Sequence, residues 1–330
     1  MISFDGWRPK AAGLSAEAGV DGAGTFRLNS PSGLDKARRF AARRPPSIVH
    51  VHDPLLWEFG ASIALSCGAT TLLTLHVFHH AMNGVRSAKS ETMSSAAEKL
   101  AVSAADVLHV TTSWLARAVS QTFELANERI RIAPLGVHDS AAAKRSRETP
   151  KDGSILYVGR FSDVKGTDVF IEALRRLGTP AGDILVVGGL PHNAKRERRW
   201  KDKFNEAAPG RVRFRGWLKA DELSACYASA CLLVVPSSVE TFGQVALEGL
   251  IHGVPVLASS CPAFCDWLRP TRAAHFFEAG DASDLAAQMS VLIQDPDRRA
   301  VLQRRGSDVA LSQYQWKHTF PALAAIYEAI

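Results

Sequence analysis

From residue 47 onward, short runs rich in β-branched and other apolar residues alternate with stretches long enough for helices. SIVHV (47–51), TTLLTLH (70–76), VLHVT (107–111) and IRIAP (130–134) have strand length and little polar alternation. That is the pattern of parallel strands covered on both faces. The rhythm stops over 138–153, HDSAAAKRSRETPKDG, where no large apolar residue occurs. It resumes with SILYV (154–158), DILVV (183–187), VRF (212–214), CLLVV (231–235) and VPVLA (254–258). The pattern predicts two doubly wound α/β domains in tandem, 1–137 and 154 onward, joined by a linker over 138–153. In such sheets ligands bind outside the carboxyl ends of the strands, so strand-end residues are where chemistry is expected.

The remaining sequence properties narrow the class. The 330 residues carry 39 Lys and Arg against 33 Asp and Glu, a net charge of +6. Charged residues make up 22% and hydrophobic ones 46%, which fits a folded globular chain and excludes disorder or a fibrous repeat. The five cysteines, Cys67, Cys226, Cys231, Cys261 and Cys265, form no Cys-x-x-Cys pair and read as reduced thiols. The N-terminus lacks a secretory apolar region and no stretch is long enough to span a bilayer, so a cytoplasmic protein is expected. Lys195–Lys203 holds six basic residues against two acids. A solvated helix face accounts for it; weak association with an anionic membrane surface stays open, and nucleic acid is not expected because no recognised motif accompanies it.

Two segments carry candidate chemistry. SILYV runs into GRFSDVKG (159–166) and then into the helical TDVFIEALRRL. Gly159 lets a ligand approach the backbone, Arg160 and Lys165 supply two cations, and the helix offers unpaired N–H groups, a combination suited to a diphosphate. The second segment, PSSVETFGQVALEGLIHGVPVLAS (236–259), follows a buried strand. It places Glu240 in the strand-end loop and Glu248 inside the next helix, about 7.5 Å along it if the helix starts near Gly243. Two carboxylates so placed can hold different parts of one hydroxyl-rich ligand. Glu240 could equally be a cap and Glu248 a surface residue, although Glu248 lies among Val245, Ala246, Leu247 and Leu250.

GRFSDVKG, the Glu–seven–Glu spacing of ETFGQVALE, and GVPVLAS together resemble the retaining glycosyltransferases of family four, the group-one glycosyltransferases with the GT-B fold. The resemblance runs from about residue 47 to 330 and includes VHVHD (49–53), TLH (74–76), EKLAVSAADVLHVTT (98–112), RIAPLGV (131–137) and YQWKHTFPALAAIYEAI. It implies two Rossmann-like domains facing across a cleft. The first would be the acceptor side, 154–311 would bind a nucleoside diphosphate sugar, and a helix over 312–330 would cross back to the first domain. It implies a donor such as a UDP- or GDP-sugar, a hydroxyl acceptor, retention of configuration, and no metal or cofactor. Arg160 and Lys165 would neutralise the diphosphate and Glu240 would hold the sugar. The stretch Thr241, Phe242 and Gly243 would line the sugar and phosphate, Glu248 would take the ribose, and His76 would face the transferred sugar.

His79 and His80 follow His76, and a helical i, i+4 pair of His76 and His80 is possible, but no carboxylate completes it nearby and HVFHH is not expected to make a metal site. His52 and Asp53 either line the acceptor side or cap a helix near Pro54. Two departures from the family stand out. SCPAFCDW replaces the usual Gly-Gly turn, leaving Asp266 near the usual acid. Residues 1–46 show no opening apolar strand with a Gly-rich loop, so the first βα unit is expected to be missing. The alternative reading is therefore a non-catalytic or weakly active nucleotide-sugar binder. A nicotinamide oxidoreductase is disfavoured because no strand-to-helix turn contains Gly-x-Gly-x-x-Gly. A glycosidase is disfavoured because Glu240 and Glu248 are set to grip two ends of one ligand rather than flank one bond.

Overall fold

The computed structural model describes residues 2–3, 24–25, 31–83, 94–138, 153–178, 182–190 and 193–330. The first half contains strands β1 (Ile2–Ser3), β2 (Gly24–Thr25), β3 (Ile48–Val51), β4 (Thr70–Thr74), β5 (Val107–Val110) and β6 (Ile130–Ile132). Its helices are α1 (Pro31–Arg43), α2 (Trp57–Cys67), α3 (His79–Asn83), α4 (Ser94–Ala104) and α5 (Ser113–Phe123). The second half runs β7 (Ser154–Arg160), α6 (Thr167–Leu177), β8 (Ile184–Gly189), α7 (Ala194–Ala207), β9 (Val212–Gly216) and α8 (Ala220–Ser229). It continues with β10 (Ala230–Val235), α9 (Gln244–Ile251), β11 (Val256–Ser259), α10 (Pro262–Trp267), β12 (His275–Phe277), α11 (Ala282–Gln294), α12 (Pro296–Gln313) and α13 (Trp316–Glu328).

Two larger parallel sheets result, a four-stranded one in the order β3-β4-β5-β6 and a six-stranded one in the order β12-β11-β10-β7-β8-β9. Every strand expected from the apolar runs is present. The sequence pattern missed β12, an edge strand of three residues, and the two-residue strands β1 and β2, all too short to leave a period of their own. Strands β7 and β8 run two residues beyond the predicted runs, pairing Gly159 with Gly188 and Arg160 with Gly189. Only glycine fits at 188, where φ is +110° and a Cβ would sit 2.2 Å from the Gly159 carbonyl oxygen.

Burial explains why the central strands read as continuous apolar runs. Along β10, Leu233 and Val235 enter one core with Leu156, Leu247, Leu250 and Phe264. Leu232 and Val234 enter the core on the opposite face with Ile155, Tyr157, Phe170 and Phe204. Each such side chain contributes roughly 1.5–3 kcal/mol on leaving water. The edge strand β9 instead alternates, with Arg213 and Arg215 exposed and Val212 and Phe214 turned inward.

After α12 the chain crosses back. Val137, leaving the first sheet, bridges Gln315, arriving from the second, and their flanks are tied by Val137 N–H to the Tyr314 carbonyl (2.8 Å) and Trp316 N–H to the Val137 carbonyl (3.1 Å). Helix α13 then lays Leu323, Ile326 and Tyr327 on Ile48, Leu72, Val107 and Ala133 of the first sheet. The expected crossover helix is therefore present. The first βα unit expected to be missing concerns residues that lie largely outside those described, as does most of the 138–153 linker. Nearby, β1 and β2 pair in parallel as a separate two-stranded sheet, and α1 packs Ala37 and Ala41 against Ile63 of α2.

Candidate functional site

The six-stranded sheet winds from β7 outward through β8 and β9, then restarts on the other side of β7 with β10. The loops leaving the carboxyl ends of β7 and β10 therefore flank the switch point, where sheets of this kind bind ligands. They are the two segments with candidate chemistry. Gly159 and exposed Arg160 close β7. Lys165 stands in the loop beyond them, and its Nζ lies 2.7 Å from Glu240 Oε1 in the loop after β10. The Ser237 hydroxyl donates to the same oxygen at 2.8 Å, and Glu240 is buried. Backbone contact brings the loops together, with Ser238 N–H bonded to the Val164 carbonyl at 2.9 Å. At Gly166 (φ +62°) a Cβ would fall 1.9 Å from the Pro236 carbonyl oxygen, so this close approach needs glycine. Thr167 braces the first loop by accepting from Ser162 N–H and meeting the Tyr157 hydroxyl.

Thr241, Phe242 and Gly243 occupy the seam between the sheets. The Thr241 hydroxyl donates to the His76 carbonyl at 2.8 Å, and the Thr241 carbonyl accepts from the hydroxyls of Thr111 and Thr112, each at 3.1 Å. Phe242 is buried, stacked on Trp267 with ring centroids 4.7 Å apart, and its carbonyl accepts from Trp267 Nε1 at 2.6 Å. Gly243 turns the chain with φ +95° into α9, one turn along which lies Glu248.

Glu248 is neither a free surface residue nor unpartnered. The buried Tyr227 hydroxyl donates to it at 2.8 Å. Burial pushes its carboxyl above the usual glutamate range, and the Tyr227 bond opposes that shift. Tyr227 is in turn stacked on His252, whose Nδ1 donates to the Glu248 carbonyl at 2.8 Å.

His76, just past the end of β4, meets His52 with Nε2 to Nδ1 at 3.0 Å. Burial lowers its pKa to about 4, with the neighbouring His52 and His109 adding to the shift and Asp53 opposing it. Asp53 caps the turn at Pro54–Leu56 by accepting from Leu55 N–H at 2.9 Å. Two further residues, His50 and His109, join this group. Their signal was available as polar interruptions at the ends of apolar strands, VHVHD and VLHV.

One expectation needs correction. A carboxylate does lie beside HVFHH in space: Glu98, fully buried on α4, accepts from the backbone N–H groups of His79 and His80 and lies 2.5 Å from His80 Nδ1. It caps α3, which begins at His79, so His76 and His80 do not share a helix. Among the described residues no group of three or more His, Cys, Asp or Glu side chains is placed to hold a metal ion. Asp266, near the family's usual acid in sequence, is engaged between the two sheets. Its carboxylate crosses the domain boundary to accept from Trp114 N–H at 2.9 Å and Arg117 at 3.2 Å.

Two parallel sheets joined through a seam, with a last helix returned to the first, make the GT-B architecture. Family models agree: "Glycosyl transferases group 1" matches residues 152–295 and "Glycosyl transferase 4-like domain" matches 6–136, reaching further back than the motifs did. The chain belongs to the group 1 glycosyltransferases. It is 28% identical over 313 residues to the D-inositol 3-phosphate glycosyltransferase of Acidothermus cellulolyticus, spanning 88% of this chain and 69% of that one. It is likewise 28% identical to the Stackebrandtia nassauensis enzyme of the same name, of which it spans 55%. A sulfoquinovosyl transferase of Arabidopsis thaliana is 24% identical over 84% of this chain and 55% of its own. Among solved structures, sucrose-phosphate synthase from Thermosynechococcus elongatus superposes with a TM-score of 0.82 at 23% identity, covering 96% of this chain and 86% of the other. Anabaena HepE, in complex with UDP and glucose, gives 0.76 at 17% identity over 93% and 86%. Among the described residues no helix is long and apolar enough to cross a membrane.

Proposed function

We propose that this glycosyltransferase moves a sugar from a nucleoside diphosphate donor, UDP or GDP, to an acceptor hydroxyl with retention of configuration. The observation that carries the reading is the Lys165–Glu240 contact of 2.7 Å, which joins a cationic loop and a carboxylate loop at the switch point of the second sheet. Arg160 and Lys165 neutralise the donor diphosphate, whose charge grows as the glycosidic bond breaks, so they favour the transition state over the ground state. Glu240 holds sugar hydroxyls, the backbone of Thr241, Phe242 and Gly243 borders the sugar and phosphate, and Glu248 takes the ribose. His76 meets the transferred sugar from the opposite domain.

The chemistry is a front-face displacement. The acceptor oxygen bonds to the anomeric carbon on the side from which the phosphate departs, and the departing phosphate oxygen receives the acceptor proton. No protein general base is required; the residues above position and neutralise. The UDP and glucose bound to Anabaena HepE support the choice of UDP as first ligand, and the names of the relatives make inositol 3-phosphate the first acceptor to try. Isothermal calorimetry with UDP and GDP, followed by UDP release from UDP-sugars with and without that acceptor, tests the reading. Nucleotide binding without turnover would make the chain a nucleotide-sugar binder. Absence of nucleotide binding would overturn the proposal.

A further inference from the structure

A chain of hydrogen bonds runs through the carboxyl ends of three neighbouring strands of the first sheet, and its direction can be read from one end. His109 Nε2 meets the Ala133 carbonyl at 2.9 Å; a carbonyl only accepts, so this nitrogen carries the proton. Burial lowers the His109 pKa and so favours the neutral ring, in which Nδ1 accepts, and the Thr74 hydroxyl at 2.8 Å donates to it. The Thr74 oxygen is then free to accept from His50 Nε2 at 2.6 Å. His50 Nδ1 accepts in turn from the Tyr327 hydroxyl on α13. Both nitrogens of His50 are thus committed, and its ring cannot turn without breaking two bonds.

That fixed ring is the floor for His52, two residues on, with ring centroids 3.9 Å apart. His52 stacks in turn beside His76, at 5.3 Å and 13° between planes, and the two share the single contact of Nδ1 with Nε2. Only one proton fits between two facing imidazole nitrogens, so whichever ring donates determines the tautomer of the other. We propose that His52 is a positioning residue for His76: its Nδ1 selects one His76 tautomer and so decides whether His76 Nδ1 offers a proton or a lone pair at the seam. The inference rests on the reading that His76 faces the transferred sugar. The ionisable groups around the pair are His50 and Asp53 on the same segment, His109 on β5 and Tyr327 on α13.

Nitrogen-15 NMR of the full chain labelled at histidine tests it. The parent should show two well-separated His76 nitrogen shifts, one protonated and one bare. His52→Phe keeps a stacked ring but removes the bond, and should collapse the two shifts toward a common value as both tautomers populate. His52→Asn, whose amide can occupy the Nδ1 position, should preserve the separation. With UDP-glucose as probe, His52→Phe should lower kcat for UDP release at least tenfold while leaving KM within threefold, and His52→Asn should recover most of the loss. A single His76 tautomer retained in His52→Phe, or a collapse equally complete in His52→Asn, overturns the inference. A parent that shows the tautomer pattern but no turnover of any nucleotide-sugar overturns the transferase reading instead.

Discussion

The ammonium of Lys165 and the carboxylate of Glu240 lie 2.7 Å apart although 75 residues separate them, and Ser237 donates to the same carboxylate oxygen. Each therefore balances the other's charge before any donor enters. Removing the cation leaves Glu240 buried without its counter-ion, which is costlier than losing a surface pair.

Lys165→Ala should therefore weaken UDP about 10- to 100-fold and lower the melting temperature of the free protein. Arg160→Ala, at an exposed strand end, should weaken UDP comparably with little change in melting. Calorimetry and thermal unfolding separate the two. Unchanged UDP affinity in both variants would remove the diphosphate from this loop.

Glu240→Gln should lower turnover more than UDP affinity, and Glu248→Gln the reverse. Glu248 also carries a stability signature. Burial raises its pKa in the fold, so the folded state takes up its proton more readily than the unfolded one, and ionisation destabilises the fold as pH rises past the ordinary glutamate value. Glu248→Gln should accordingly melt higher than the parent at pH 7, with the advantage shrinking as pH falls toward 4.5. A lower melting temperature at pH 7 would contradict this.

The histidine group should produce the opposite trend. His50 is held down to about 3 and His76 to about 4 by burial. As pH falls below 6.5 the unfolded chain takes up protons that these rings refuse, so stability is lost from there down toward pH 4, at up to about 1.4 kcal/mol per pH unit for each ring. Melting between pH 7 and 5 measures the slope, which should flatten in His50→Gln.

Asp266→Asn should loosen the contact between α10 and the start of α5, since Trp114 N–H and Arg117 lose a charged acceptor. The expected result is a larger radius of gyration by small-angle scattering in the free protein, with UDP affinity within threefold of the parent. Equal scattering profiles would show that the Thr241 contacts and the α13 crossover hold the seam without Asp266.

What the sequence disclosed follows from where each signal resides. Strands such as CLLVV announce themselves because both faces are covered, and GRFSDVKG and ETFGQVALE declare the switch point because their glycines and charges follow those strands directly. Glu98 was not legible as a partner of HVFHH because capping across 18 residues depends on how α4 packs against α3. Asp266 was read by its place in the family pattern, yet its partners come from the other domain, 149 and 152 residues away. His50 and His109 passed unnoticed because a histidine inside an apolar strand shows its purpose only when the neighbouring strands align Thr74 between them.

The return of α13 to the first sheet also has a consequence for how the chain is made. Ile48, Leu72, Val107 and Ala133 are covered by Leu323, Ile326 and Tyr327. On a ribosome, the first sheet is synthesised nearly two hundred residues before the helix that seals it. Through that interval the patch that α13 will cover stands open, and the second domain can fold as a unit of its own before the seal arrives. The emerging chain is thus most exposed to self-association at the stage when one domain is finished and the other is only waiting for its last helix.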